Sequence, residues 1–142
     1  MNRQIKFSIP QKPIPLKRHR HHNNITYNPL YKEKKQHQQL ITLLTSSYTS
    51  LKEHTLCGPL EIDLIFEMPI PKSHRHPYKY HSVKPDLDNL VKFILDVMSG
   101  IIYADDAYIY KINAQKVYSH TPQTIVSISE TTQLPFLEGN RK

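Results

Sequence analysis

In VKPDLDNLVKF, residues 83–93, two aspartates one residue apart, Asp86 and Asp88, stand at the mouth of an apolar run. A second acidic pair, Asp105 and Asp106, follows in YADDAYIYK, residues 103–111. Such carboxylates have two uses. The first is structural. Asp86 can cap a helix by accepting a backbone N–H from its first turn, and the helix dipole favours Asp88 in that turn. A capping box would want Glu or Gln at 89, where Asn89 stands. Lys92 lies one helical turn from Asp88, so an i,i+4 ion pair is available. Adjacent acids in a tight turn, such as Asp105 and Asp106, are ordinary by themselves. The second use is to hold a hard cation. Mg²⁺ takes one or two protein carboxylates and completes its shell with phosphate oxygens and water. Phosphodiester cleavage can employ two such ions about 4 Å apart, one at the attacking water and one at the leaving oxygen. Lys92 can then meet the phosphate or the developing charge. On the residues alone both readings stay open.

For the acids to meet, the elements between them must bring them back. Leu87, Leu90, Val91, Ile94, Leu95 and Met98 recur with helical period, and Asp88, Lys92, Asp96 and Ser99 fall together on the other side. The spacing predicts a helix over 87–98, about 20 Å long, ended by Gly100. The short extended piece IIYADD is then long enough to return Asp105 and Asp106 to the helix start. Downstream, residues 107–119 and 123–130 read as strands, paired as a hairpin across HTPQ. Upstream, QIKFSI (4–9) and LEIDLIFEM (60–68) alternate as half-buried strands. Asn28-Pro29 marks the start of another helix, from Pro29 to about Leu51. Residues 10–24 and 69–85 are basic, proline-bearing loops, and a loop as long as the second is often functional. The order β-α-β-α-β-β predicts one small α/β domain of the α+β type. It would be a mixed sheet with helices packed on it, spanning residues 1–130, with 131–142 as a tail.

A chain of 142 residues suits a single domain. Its formal charge of +7 is unevenly spread: residues 1–84 carry 14 Lys/Arg against 5 Asp/Glu, and residues 85–142 carry 5 against 7. A basic half ahead of concentrated aspartates favours a polyanion as partner, with cations for phosphates and carboxylates for a metal. No run of about 18 apolar residues and no apolar leader is present, so neither a membrane span nor a signal peptide is expected. The expected setting is intracellular, cytoplasmic or nucleoid-associated. Cys57, the single cysteine, cannot form an internal disulfide or a cysteine-rich zinc site, and reads as a small buried residue. HRHH (19–22) with His74 and His76 is too irregularly spaced, and too mixed with arginine, for zinc.

Residues 84–116, KPDLDNLVKFILDVMSGIIYADDAYIYKINAQK, closely resemble the signature of the RusA family of Holliday junction resolvases. That signature runs Lys/Arg-x-Asp-x-Asp-Asn-x-x-Lys, an aspartate a turn later, a helix end, then Asp-Asp ahead of a lysine-bearing strand. Lys84, Asp86, Asp88, Asn89, Lys92, Asp96, Asp105, Asp106 and Lys116 occupy those places here. IPQKPIPLKRHR and MPIPKSHR also resemble family segments, so the likeness covers about residues 4–130. It implies a homodimeric endonuclease that uses Mg²⁺, with Mn²⁺ as a substitute and no small organic cofactor. The enzyme would cut four-way DNA junctions by paired symmetric nicks in recombination and repair. The resemblance further implies that Asp86, Asp88 and Asp106 are the metal-binding catalytic acids and Lys92 the catalytic lysine. Asp105 would be a nearby acid of secondary weight. One departure is Tyr108, where the family often carries Gln or Glu.

Lys17, Arg18 and Arg20 in the first basic loop, Lys72, Arg75 and Lys84 in the second, and Lys116 beyond are the expected phosphate contacts. Such contacts give affinity without sequence preference. Tyr78 and Tyr80 interleave with the second loop's cations and can stack on unpaired bases, whereas the tyrosines of 103–118 read as sheet packing. Two rival readings remain: a nuclease that prefers flaps or forks, and a non-catalytic basic DNA-binding protein whose acids are structural.

Overall fold

The computed structural model describes residues 3–17, 20–23, 25–48, 55–72 and 78–137. The alternation in QIKFSI forms β1 (Gln4–Ile9), with Ile5, Phe7 and Ile9 buried. The basic stretch after it, expected as loop, contains two short strands, β2 (Arg20–His22) and β3 (Ile25–Tyr27), paired antiparallel in a ribbon of their own. Helix α1 (Tyr31–Leu44) follows. Asn28 Oδ1 accepts the Leu30 N–H at 2.9 Å just ahead of it. The helix stops short of the expected end, and Leu51 itself lies outside the described residues. Thr45 Oγ1 donates to the Ile41 carbonyl at 2.7 Å, and hydroxyl side chains of the Thr/Ser run compete for backbone partners.

β4 (Leu60–Pro69) is a central strand. It pairs parallel with β5 (Ile109–Ser119) and antiparallel with β6 (Gln123–Glu130), and β6 pairs antiparallel with β1. The sheet order is β1-β6-β4-β5. The last two strands are therefore not a hairpin, as their short link had suggested. That link crosses over the end of β4 at Pro69, which has no N–H with which to extend its ladder. β4 buries Leu60, Ile62, Leu64, Phe66 and Met68 on one face and can serve partners on both edges. β5 is exposed at Tyr110, Lys111, Ile112 and Asn113, as suits an edge.

Helix α2 (Leu87–Met98) has the expected bounds. Leu90, Phe93, Ile94 and Val97 are buried, each contributing about 1.5–3 kcal/mol by its burial. Both helices cover one face of the sheet. α1 packs on β1 and on α2, with the His37 ring edge-on to Phe93 at 5.3 Å, and α2 also touches β5. The other face is wet and carries cross-strand polar pairs: Asp63–Asn113 at 2.9 Å, Glu61–Lys111 at 3.2 Å and Glu67–Gln123 at 2.9 Å. Cys57, expected to be buried, is exposed. Its neighbour Leu56 takes the inward position, bonded from its N–H to the Ile102 carbonyl at 2.8 Å, and successive residues of an extended segment face opposite ways.

Candidate active site

Asp86 occupies the cap position of α2 with extended backbone angles (φ −67°, ψ 141°), yet its side chain makes no capping bond. Its Oδ1 instead meets Lys84 Nζ at 2.8 Å. That hydrogen bond holds the Asp86 carboxyl below its ordinary range and raises the Lys84 ammonium above its own. Asp88 Oδ1 accepts the N–H of Asn89 at 2.9 Å, and its Oδ2 lies 3.9 Å from Lys92 Nζ. The i,i+4 pair exists, but as a loose contact between exposed groups.

The chain then turns back. Gly100, at φ 85°, donates its N–H to the Tyr103 carbonyl at 2.8 Å. A side chain is strained in that backbone region, which glycine enters freely. Tyr103 is buried beneath the turn, and its hydroxyl donates to the Leu95 carbonyl at 2.7 Å, tying the turn to α2. Burial, and then the charges of Asp106 and Asp96, push this phenol far above its ordinary pKa, so it stays a donor. Asp105 caps the single 3-10 turn Asp106–Tyr108 by accepting the Ala107 N–H at 2.9 Å. With the capping done by Asp105, Asp106 faces a cleft of about 390 Å³ that Lys92, Leu95, Asp96 and Ser99 of α2 also line. Asp106 thus arrives beside the later turns of α2 rather than at the helix start.

Asp86 opens on a second cleft, of about 580 Å³, with His81, Ser82, Val83, Lys84, Leu87 and Lys116. Lys116, expected as a phosphate contact, spends its ammonium within the protein. Nζ donates to the carbonyls of Val83 at 2.8 Å and Pro85 at 2.7 Å. Burial, reinforced by the Lys84 charge, pulls its pKa below the ordinary lysine value against the opposing pull of Asp86. Two backbone bonds help to pin the same segment, His81 N–H to the Lys116 carbonyl at 3.1 Å and Tyr118 N–H to the Lys79 carbonyl at 2.9 Å. β5 therefore positions the segment that delivers Asp86.

The fold brings Lys92 and Asp106 to one cleft, with Asp88 one turn away, and sets Asp86 in the other. Among the described residues, no three His, Cys, Asp or Glu side chains converge as a ready-made metal group. Lys17 follows Leu16, whose N–H donates to the Asn89 carbonyl at 2.9 Å and docks the first basic loop on α2. Lys72 is exposed beyond β4 and lines neither cleft. Arg18 and Arg75 lie outside the described residues, and Arg20 begins β2. Sequence reasoning missed Leu16, Asn28 and Lys34, which complete the wall around Asp106. For Lys34 a signal was present: Tyr31, Lys34, Lys35 and Gln38 form a polar stripe of helical period.

With this geometry in place, comparison with known proteins gives the family. The family model for endodeoxyribonuclease RusA matches residues 10–129. The chain belongs to the RusA family. Its family chemistry is accordingly that of an endodeoxyribonuclease, and both clefts lie on the matched segment. The uncharacterised protein YqaN of Bacillus subtilis (strain 168) is 30% identical over 105 residues, covering 67% of this RusA-family chain and 72% of YqaN. Among the described residues, no helix is long and apolar enough to cross a membrane.

Proposed function

We propose that this RusA-family chain resolves four-way DNA junctions by divalent-metal-dependent hydrolysis, two copies making paired symmetric nicks. The observation that carries the reading is the meeting of Asp106 and Lys92, from separate elements, across one cleft. Asp86, Asp88 and Asp106, with Asp105 beside them, offer hard carboxylate oxygens, the donor chemistry of Mg²⁺ or Mn²⁺. Mg²⁺ needs only one or two of these besides substrate phosphate and water, so Asp106 in one cleft and Asp86 in the other, with Asp88 and Asp105 exposed outside them, fit it without an all-protein cage. When bound, such a cation supplies an activated water and neutralises charge at the leaving oxygen. The rest falls to the chain's own groups. Lys92, held only loosely by Asp88, can turn its ammonium to the charge that builds on the phosphate. Lys84 and Lys17 neutralise phosphates on either side of α2's first turn. Two strands of a symmetric junction need two identical sites, which a two-fold dimer presents.

A synthetic four-way junction, a fork, a flap and a plain duplex, each incubated with and without Mg²⁺, test this. Paired nicks in the junction that require the cation are expected. Preferential cutting of forks or flaps would reassign the substrate. Binding without cutting, in Mg²⁺ or Mn²⁺, would overturn the catalytic reading in favour of a DNA-binding protein.

A further inference from the structure

The cleft that holds Asp106 and Lys92 does not end at α2. Its wall includes Asn28 and Lys34, and these two residues also line an adjoining cleft of about 420 Å³ with Tyr31, Lys35 and Gln38. The two hollows adjoin through those shared walls, and together they lead from Asp106 and Lys92 along α1. Tyr31, Lys34, Lys35 and Gln38 stand at i, i+3, i+4 and i+7, so they share one face of α1, and it is not the core-facing one. Here the core is served by Leu30, His37 and Ile41 instead. Tyr31 is 63% exposed, and Lys35 is exposed as well.

We propose that this groove carries the sugar-phosphate backbone of one DNA strand as it leaves the reactive acids, gripped by Lys35 and Tyr31 with the Asn28 amide beside them. The inference rests on the nuclease reading of the neighbouring cleft and adds a binding site on α1. Its chemistry is that of hydrogen-bond donors: the Lys35 ammonium, the Tyr31 phenol and the Asn28 carboxamide, with the Gln38 amide also reaching the Val97 carbonyl at 3.5 Å. The oxygen of Asn28 is already taken by the Leu30 N–H, which leaves the amide to donate. Asp96, on the α2 wall, takes the Lys34 ammonium at 3.1 Å, which leaves Lys35 as the cation offered to phosphate. Residues 31–38 span about 10 Å of helix, the axial rise of about three nucleotides of one strand. A strand whose scissile phosphate lies at Lys92 and Asp106 must leave past some surface, and this groove begins there. Donors aimed at phosphate give register without base sequence, as suits a ligand recognised by its branching.

The test is junction affinity in EDTA, which prevents cutting, over a salt series, for wild type, Lys35→Ala, Lys35→Arg and Lys111→Ala. Each phosphate contact contributes about 0.9 to the slope of log affinity against log salt. Lys35→Ala is therefore expected to bind more weakly and to lose about 0.9 of slope, so that a fourfold rise in salt costs it about 3.5-fold less affinity than it costs wild type. Lys35→Arg restores the slope. Lys111→Ala, whose ammonium pairs with Glu61 at 3.2 Å on the wet face of the sheet, keeps it. Alanine is a better helix former than lysine and residue 35 is exposed, so the variant folds. A wild-type slope for Lys35→Ala, with wild type itself binding the junction, overturns the groove and leaves the nuclease reading standing. Failure of wild type to bind any branched DNA overturns both.

Discussion

Replacing Lys116 by methionine keeps most of its stem and removes its ammonium. Two charge-assisted hydrogen bonds disappear, those at 2.8 Å to the Val83 carbonyl and 2.7 Å to the Pro85 carbonyl. Fully buried, each would contribute about 1.5–3 kcal/mol. One of the two is exposed to water, so about 2 kcal/mol for the pair is the better figure. The loss falls on one segment rather than on the fold. The backbone bonds from His81 and Tyr118 still tie residues 79–81 to β5, while residues 83–85 lose their anchor. Asp86 follows directly. At a factor of ten per 1.36 kcal/mol, 2 kcal/mol limits the fall in cleavage rate to about 30-fold. Single-turnover cleavage of a four-way junction, with junction affinity across a salt series, reads both effects. A positioning lysine loses rate and keeps the salt slope. A lysine that touches phosphate loses about 0.9 of the slope. A wild-type cleavage rate in Lys116→Met, or a slope lowered by that amount, refutes the positioning argument.

Lys92→Ala is expected to melt within a degree or two of wild type, because an exposed pair 3.9 Å apart contributes only about 0.5 kcal/mol. Its single-turnover rate should fall by about 10²–10³, and a fall of only a few-fold would return Lys92 to a surface ion pair. Asp86→Asn, Asp88→Asn and Asp106→Asn should each abolish Mg²⁺-dependent cleavage while junction binding holds or tightens. Any one that cuts at the wild-type rate is not a metal ligand. Asp105→Asn should retain the cap on Ala107, since asparagine caps as well as aspartate, whereas Asp105→Ala should lower stability by about 1 kcal/mol in denaturant titration. Phe66→Ala, in the buried face of the central strand, should cost about 3–5 kcal/mol by the same measurement, and a cost below 1 kcal/mol would show that the core had been misplaced.

What could be read in advance follows the range of the forces involved. α2 was legible to the residue because its apolar period, its cap position and Gly100 are all local. β1 and β4 were legible for the same reason. Strand order was not, because the partners of β6 lie more than fifty residues away in β4 and more than a hundred away in β1, and no pattern within β6 names them. A short link biases the reading towards a hairpin, since sequential strands are usually neighbours. The acids themselves were visible from spacing. Their division between two clefts was not, because it depends on the tight turn at Gly100 and on the Tyr103 hydroxyl reaching the Leu95 carbonyl. Tyr103 reads in sequence like any other sheet tyrosine.

The choice between a capping and a reactive Asp86 was undecidable from its position, since both uses want a carboxylate just ahead of a helix. Lys84 takes the side chain away from the cap. Its Nζ at 2.8 Å holds the oxygen in place of a backbone N–H in the helix, an exposed ion pair that adds little to the fold and separates easily. The backbone keeps its cap conformation and the oxygen goes elsewhere. The first turn loses little, because Asn89 N–H and Leu90 N–H still reach the Asp86 carbonyl. Under the proposed nuclease reading the exchange has a functional sense. A carboxylate committed to the cap would have to break the helix start before it could reach a cation or a phosphate-bound water. One held by an exposed ammonium can let go without disturbing α2, and the ammonium it releases is then beside the incoming phosphate. Asp86 is thus fixed in place by the helix and kept available by the lysine two residues before it.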